Sequence, residues 1–232
     1  MTYSLSSLIL DHENIDDEYI DDYACFNNND LNLDNLAPKT QIHEKNAKEF
    51  RNYLENNREM FATSVEQLGC CKNVKFRVET TSVSPVYNAP FRQPPALAKV
   101  ADDELQALEK ANIKRKGRAG TWTSQGFVIK QKGGFRFVVN YKNVNSQTKL
   151  LKFPLARIDD LLDSFQGAKY FSTIDLRKGF HQFEIEEEDK LGFITKNGVW
   201  EYNRMPFGVT NGPTFFSAVM QNILGDLPVI LC

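Results

Sequence analysis

The chain has 232 residues, of which 41% are hydrophobic and 25% are charged, and its formal net charge at pH 7 is −2. These values are typical of a water-soluble protein with one large domain or two small ones. They exclude a membrane protein, because no uninterrupted apolar segment approaches the length of a bilayer span. The first residues lack the positive charge of a signal peptide, and the four cysteines lack metal-ligand spacing, so we expect an intracellular protein with reduced thiols.

The two signs of charge are separated along the chain. Residues 1–38 contain nine acidic residues and no lysine or arginine, whereas residues 110–158 contain twelve basic residues and no acidic ones. We therefore divide the chain into a poorly ordered acidic leader at 1–40 and a folded part at 41–232 with a basic surface. The usual partner of such a surface is a polyanion. An alternative is that the leader folds back on the basic part and competes with its ligand.

In chain order, an incomplete apolar stripe first predicts a helix between Gln41 and Phe61. Alternation of apolar and basic residues predicts a strand at 74–78, and several prolines then hold the chain extended. Pro95 suits a first helical turn, and the following pattern predicts a helix that ends near Ala111.

The rest of the chain mixes strands and helices without strict alternation, which predicts an α+β fold. Two hairpins are indicated, one around Gly133-Gly134 and one around Asn197-Gly198. The remaining predicted elements are a helix at 158–165, a strand at 170–175, a helix at 214–224 and a strand at 228–231.

Asp175 is the first candidate for chemistry, since it ends a hydrophobic strand. A carboxylate in that position is held rigidly and suits a hard cation such as Mg²⁺, although a strand-terminal aspartate is more often a turn residue. Lys130, Lys132 and Arg136 surround the first hairpin and are suited to phosphates. Together with a Gly/Pro-rich turn at 205–213, these are the parts that phosphoryl transfer requires.

Three segments make the sequence resemble the reverse transcriptase of gypsy-type LTR retrotransposons, over a match that runs from about Ala47 to the C-terminus. They are Arg157-Ile-Asp-Asp-Leu-Leu, Gly167-Ala-Lys-Tyr-Phe-Ser-Thr-Ile-Asp-Leu-Arg-Lys-Gly-Phe-His-Gln and Met205-Pro-Phe-Gly-Val-Thr-Asn-Gly-Pro. The resemblance implies a right-hand polymerase with fingers and an incomplete palm, and no thumb within these residues. It implies a primed RNA or DNA template and deoxynucleoside triphosphates as substrates, and two Mg²⁺ ions in the intact enzyme.

The resemblance also implies roles for individual residues. Asp175 matches the first catalytic aspartate, and the backbone carbonyl of Leu176 would help to bind metal. Arg136 matches the arginine that binds the incoming triphosphate, and Lys130 or Lys132 matches the fingers lysine. Phe180 matches the aromatic ring that excludes a ribose 2′-hydroxyl. The other residues assigned to the nucleotide are Gly179, Phe207 and Gly208, and those assigned to nucleic acid are Lys114, Arg115, Lys116, Arg118 and Lys142.

The sequence departs from the family pattern in ways that limit its predicted activity. Asn140 and Lys142 stand where the family has aspartate and arginine, and no Tyr-X-Asp-Asp motif is present after the strand predicted at 228–231, where the family has it. Because two-metal catalysis requires carboxylates from separate strands, we expect this chain alone not to polymerise, and we expect an uncovered sheet edge where the absent strands would pair.

Two further interpretations stay open, namely a non-catalytic nucleic-acid-binding remnant and a gene-model fragment. The expected partners are template-primer, deoxynucleoside triphosphates and the remainder of a Pol polyprotein, with no membrane. The expected location is the cytoplasm, a virus-like particle or the nucleus.

Overall fold

The computed structural model describes residues 4–6, 44–82, 84–132, 134–154, 158–167, 173–186 and 188–225. Its strands are β1 (Ser4–Ser6), β2 (Cys71–Phe76), β3 (Lys114–Lys116), β4 (Ser124–Gln131), β5 (Gly134–Asn140), β6 (Thr173–Asp175), β7 (Phe183–Ile185), β8 (Phe193–Thr195) and β9 (Gly198–Tyr202). Its α-helices are α1 (Glu44–Asn56), α2 (Pro95–Lys110), α3 (Lys142–Asn145), α4 (Ile158–Ser164) and α5 (Gly212–Leu224). Four short 3₁₀ helices lie at 58–60, 65–67, 179–182 and 188–191.

A five-stranded sheet in the order β3-β9-β8-β4-β5 forms the centre of the described structure. Its neighbouring strands are antiparallel except for β4 and β8, which run parallel. The hairpins β4–β5 and β8–β9 are the two that the glycine-containing turns predicted, and Gly198 has a φ of 125°, which favours glycine. Strand β5 is an edge strand, so one of its sides pairs with no other strand of this sheet.

Helix α2 covers this sheet with one apolar face. Pro95 occupies the first helical turn as predicted, and Ala98, Ala101, Leu105 and Leu108 are buried at intervals of three or four residues. The helix packs on β4 and β5. Its Glu104 carboxylate accepts the backbone N–H of Phe137 at 3.0 Å, so the helix satisfies a donor of strand β5.

Aromatic side chains fill much of the space between the sheet and the adjoining loops. Phe193 lies 5.5 Å from Phe137 and 5.1 Å from Tyr202, measured between ring centroids. Tyr141 is 1% exposed, and its hydroxyl donates to the carbonyl of Leu191 at 3.0 Å. This tyrosine therefore ties the segment after β5 to the centre of the core.

Two small two-stranded sheets lie outside the central sheet. Strand β2 pairs in parallel with β7, with an irregular register between Cys71 and Lys75. Strand β1 pairs antiparallel with β6, and Ser4 lies opposite Asp175. One edge of β6 is therefore paired with residues 4–6, which belong to the acidic leader.

Most predicted elements are present with shifted ends. The first helix begins at Glu44 and ends at Asn56, earlier than Phe61, because the chain continues as a separate 3₁₀ helix at 58–60. The strand predicted at 74–78 is observed at 71–76. The strand predicted at 228–231 lies outside the described residues. Among the described residues, no helix is both long and apolar enough to cross a bilayer.

Candidate active site

Asp175 lies at the C-terminal end of β6, followed by a tight turn. The carbonyl of Leu176 accepts the backbone N–H of Gly179 at 3.0 Å, and Lys178 adopts a left-handed conformation with a φ of 47° and a ψ of 43°. A 3₁₀ helix at 179–182 follows. Asp175 and Leu176 are consecutive residues, and the Leu176 carbonyl keeps one lone pair for a partner other than Gly179.

These groups alone are not a complete metal site. In the part of the chain that the structure describes, no group of three or more His, Cys, Asp or Glu side chains is arranged to hold a metal ion. Asp175 and one backbone carbonyl supply too few oxygen ligands for the two Mg²⁺ ions that the resemblance implied.

Phe180 and Phe207 form a stacked pair beside this turn. Their ring centroids are 5.1 Å apart with an interplanar angle of 16°, and Phe216 lies 5.5 Å from Phe180 on another side. Gly179 makes the arrangement possible, because a Cβ there would lie only 2.9 Å from the Phe216 ring. Glycine at 179 avoids this close approach, and the packing holds the Phe180 ring between Phe207 and Phe216.

The loop that carries Phe207 is fixed by two asparagine side chains. Asn145 donates to the carbonyl of Gly208 at 2.9 Å and accepts the backbone N–H of Thr210 at 3.0 Å. Asn211 donates to the carbonyl of Lys149 at 2.8 Å. Gly208 has a φ of 89°, a conformation that favours glycine. The sequence did not predict Asn145 as a site residue, since an asparagine at a helix end has many possible partners.

His181 lies beneath the same loop. Its Nδ1 is 3.0 Å from the carbonyl of Met205, and its ring makes an edge contact with Phe207 at 5.1 Å. Burial, together with the nearby charges of Lys178, Arg204 and Arg136, lowers the pKa of His181 to about 4 despite the opposing effect of the bond to Met205. The imidazole is therefore neutral at pH 7 and supports the loop that carries Phe207.

Arg136 reaches this loop from the β4–β5 hairpin. Its guanidinium carbon is 5.5 Å from the centroid of the Phe207 ring, and the Nζ of Lys178 is 5.9 Å from the same centroid. Both cations line a cavity of about 260 Å³, together with His181, Phe207 and Gly208. Of the residues assigned to the nucleotide, the structure thus brings together Arg136, Phe207 and Gly208, with Phe180 stacked behind Phe207.

The hairpin lysines are placed differently. In the β4–β5 ladder, Arg136 is opposite Ile129, and Lys130 is opposite Phe135. Because successive side chains of a strand alternate between faces, Lys130 and Arg136 point to opposite faces of the hairpin. Neither Lys130 nor Lys132 lines the cavity. The residue of β4 that shares a face with Arg136 near the hairpin end is Gln131.

The basic segment at 114–118 is partly internal. Lys114 is 1% exposed, with its Nζ 3.1 Å from Glu109 and 3.5 Å from the centroid of the Trp200 ring. Burial lowers its pKa, which the hydrogen bond to Glu109 partly offsets. Arg115 donates from two nitrogens to Glu201, at 3.0 and 2.8 Å. We therefore leave Lys114 out of the nucleic-acid surface, because its charge faces the protein.

Glu201 is a buried carboxylate, and the sequence did not indicate it as a candidate residue. Besides Arg115, it accepts the backbone N–H of Arg118 at 3.0 Å and the hydroxyl of Thr121. Burial alone would raise its pKa, but the bonds from Thr121, Arg118 and Arg115 lower it below the usual value for glutamate. The carboxylate thus holds the loop between β3 and β4 in one conformation.

The remaining basic residues of the prediction are exposed. Lys116, Arg118 and Lys142 are exposed, and the Nε of Arg118 also lies 3.5 Å from a carboxylate oxygen of Glu201. The side-chain oxygen of Asn140 accepts the backbone N–H of Lys142 at 3.1 Å, so asparagine makes the turn contact for which an aspartate is also suited. Lys116 and Arg118 lie two residues apart at the end of β3, whereas Lys142 begins α3.

Comparison with known proteins identifies relatives of this chain. Residues 128–231 match the family model described as reverse transcriptase (RNA-dependent DNA polymerase). The Pol polyprotein of transposon 297 from Drosophila melanogaster is 32% identical over 170 residues, which are 70% of this chain and 16% of that protein. The transposon Tf2-3 polyprotein of Schizosaccharomyces pombe is 34% identical over 160 residues, which are 67% of this chain and 12% of that protein.

The fold has a counterpart among solved structures. The foamy viral protease-reverse transcriptase in complex with an RNA/DNA hybrid superposes with a TM-score of 0.75 at 22% identity, over 84% of this chain and 26% of that one. The chain therefore spans a small fraction of the length of each of these proteins. The matched sequence and the fold show that the chain belongs to the reverse transcriptase (RNA-dependent DNA polymerase) family, as a fragment of the type found in retrotransposon Pol polyproteins.

Proposed function

We propose that the chain forms the fingers and the first part of the palm of a gypsy-type retrotransposon polymerase, and that its cavity receives the triphosphate of a deoxynucleoside triphosphate. The observation that supports this most is the meeting of Arg136 from the hairpin with Phe207 from the 205–211 loop, beside the turn that follows Asp175. A guanidinium binds phosphate oxygens through two parallel hydrogen bonds, and such bonds fix orientation as well as charge.

The sugar and base of the nucleotide would lie along the stacked rings. Phe180 is held by Phe207 on one side and Phe216 on another, so its ring has little freedom to move away from a ligand. A fixed ring at this position leaves no room for a ribose 2′-hydroxyl and favours deoxynucleotides. Phe207 and Gly208 would then pack beside the nascent base pair.

The template-primer would bind on the basic surface outside the cavity. Lys116, Arg118 and Lys142 are exposed cations suited to backbone phosphates. The foamy viral protease-reverse transcriptase, whose solved structure is a complex with an RNA/DNA hybrid, supports this kind of partner. Binding of this type is salt-dependent and independent of sequence.

Polymerisation would need more than these residues supply. In this class of reaction, bound Mg²⁺ would activate the primer hydroxyl and stabilise the charge on the leaving pyrophosphate. Within the described residues, Asp175 and the Leu176 carbonyl are the groups assigned to metal, and they do not make a two-ion site. The other carboxylates would come from the remainder of a Pol polyprotein, in the cytoplasm, in a virus-like particle or in the nucleus.

A binding and extension experiment with residues 1–232 tests the proposal. We expect a labelled RNA/DNA template-primer to bind, and its affinity to fall about 40-fold between 50 and 200 mM salt if three phosphate contacts form. In the same solution, with Mg²⁺ and all four deoxynucleotides, we expect no primer extension. Affinity that does not respond to salt would contradict the proposed surface. Extension that Asp175→Ala abolishes would contradict the inactivity of these residues alone.

A non-catalytic nucleic-acid-binding remnant is the second candidate. It is favoured by the lone assigned carboxylate, Asp175, in a domain with a basic surface. The two candidates differ in what they predict for nucleotides. If the chain is part of a polymerase, it binds deoxynucleoside triphosphate, and this binding depends on Arg136. If it is a non-catalytic remnant, it binds nucleic acid but shows no nucleotide binding that depends on Arg136.

A further inference from the structure

Lys178 occupies a backbone conformation that lysine rarely adopts. Its φ of 47° and ψ of 43° lie in the left-handed region, where residues with a Cβ are uncommon and where strain often accompanies function. The residue is exposed and stands immediately before the 3₁₀ helix that carries Phe180 and His181. The turn thus directs a cation towards the mouth of the cavity.

Lys178 shares one aromatic ring with Arg136. Their charged groups lie 5.9 and 5.5 Å from the centroid of the Phe207 ring, and both residues line the cavity. Among the described residues, no carboxylate lies within 4 Å of either cation. Glu104 also lines the cavity, but its carboxylate accepts the backbone N–H of Phe137. Two unpaired cations around one ring repel each other, and a bound anion would relieve that repulsion.

The hairpin supplies one cation to this side of the cavity. On the face that carries Arg136, the neighbouring β4 residues are Ile129 and Gln131, while Lys130 points to the opposite face. A triphosphate carries several negative charges and is bound best by more than one cation. Of the described residues that line the cavity, Lys178 is the cation besides Arg136.

We propose that Lys178 is a second triphosphate-binding residue, which acts together with Arg136 beside the Phe207 ring. The inference rests on the proposed nucleotide-binding function and adds a binding residue from the palm. In this arrangement the guanidinium of Arg136 orients two phosphate oxygens, and the ammonium of Lys178 neutralises a further phosphate as a point charge.

Inorganic tripolyphosphate is the probe that tests this inference, with the full chain and isothermal titration calorimetry. Lys178→Asn removes the charge and keeps a residue that tolerates the left-handed conformation, and Lys178→Gly removes the same charge without backbone strain. We expect each to weaken tripolyphosphate binding about tenfold, and Lys178→Arg to stay close to the unaltered chain. Lys196→Asn, at an exposed hairpin turn, controls for net charge and should change affinity little.

The outcomes separate this inference from the proposed function. If Arg136→Gln weakens binding while both Lys178→Asn and Lys178→Gly bind like the unaltered chain, the role of Lys178 is overturned and the nucleotide site stands. If the unaltered chain binds no tripolyphosphate, or if the variants of Lys178, Arg136 and Lys196 all bind equally, both ideas are overturned. Loss of binding in Lys178→Asn and Lys178→Gly with recovery in Lys178→Arg supports the inference.

Discussion

Replacing Arg136 with glutamine will lower the affinity of the chain for deoxythymidine triphosphate about 10- to 100-fold. This loss corresponds to about 1.4–2.7 kcal/mol, close to the contribution of one charge-assisted hydrogen bond, since glutamine can still donate one bond but keeps neither the charge nor the two-pronged donor geometry. Folding should change little, because Arg136 is exposed and its contact with Phe207 is worth about 0.5–1 kcal/mol. The affinity is measured by competition against a fluorescent nucleotide with template-primer present.

Two further variants make the Arg136 experiment specific. Arg136→Lys retains the charge without the planar fork, and we expect its affinity to lie between those of Arg136→Gln and the unaltered chain. Arg92→Gln removes an exposed arginine from the extended segment before α2 and should bind nucleotide normally. Equal affinities for Arg136→Gln and the unaltered chain would remove the hairpin from the nucleotide site.

Glu201→Gln will lower the free energy of unfolding at pH 7 by about 3 kcal/mol. Glu201 is 0% exposed, and the change removes the negative charge that two nitrogens of the half-buried Arg115 bind. The backbone N–H of Arg118 and the hydroxyl of Thr121 would keep a weaker acceptor. Urea unfolding measures the change, and Glu186→Gln, at an exposed position, is the matched control.

The Glu201 effect should depend on pH in one direction. Since hydrogen bonds in the folded chain lower the pKa of Glu201, its stabilising contribution is complete above the ordinary glutamate pKa of about 4.3. The contribution declines as the pH falls below that value and through the lower pKa of the folded chain. The difference in stability between the unaltered chain and Glu201→Gln should therefore shrink on acidification. A difference that grows towards low pH would show that Glu201 does not bind Arg115 as a carboxylate.

Local patterns predicted the parts of the fold that depend on neighbouring residues. Asn197-Gly198 forms the turn between β8 and β9, and Pro95 begins α2, because turn geometry and helix starts are set by a few adjacent residues. The parallel pairing of β2 with β7 joins residues more than a hundred positions apart. No short segment of sequence encodes such a pairing, since it depends on the packing of the whole domain.

For the same reason, only some features of the candidate site could be predicted from the sequence. The position of Asp175 at a strand end and the aromatic character of Phe180 are visible in the sequence. The burial of Lys114 is not, because it depends on Trp200 and Glu109 coming together around it. Likewise, the face to which Lys130 points depends on the register of the β4–β5 ladder, which a glycine-rich turn does not fix by composition alone.

Lys178 shows a further limit of sequence reasoning. Its left-handed backbone would be typical of glycine or asparagine, and a lysine gives no signal for it. The conformation follows from the tight turn between β6 and the 3₁₀ helix, where the Leu176 carbonyl binds the N–H of Gly179. Neighbouring structure thus overrides the preference of the residue type.

Photoaffinity labelling with 8-azido-deoxyadenosine triphosphate tests most directly whether a nucleotide occupies this cavity. With template-primer bound, we expect the label on the tryptic peptides that begin at Gly179 and at Met205, which carry Phe180 and Phe207. Excess deoxyadenosine triphosphate should prevent the labelling, and Arg136→Gln should lose most of it. Labelling confined to other peptides, or labelling that Arg136→Gln leaves unchanged, would contradict a nucleotide site between the hairpin and the 205–211 loop.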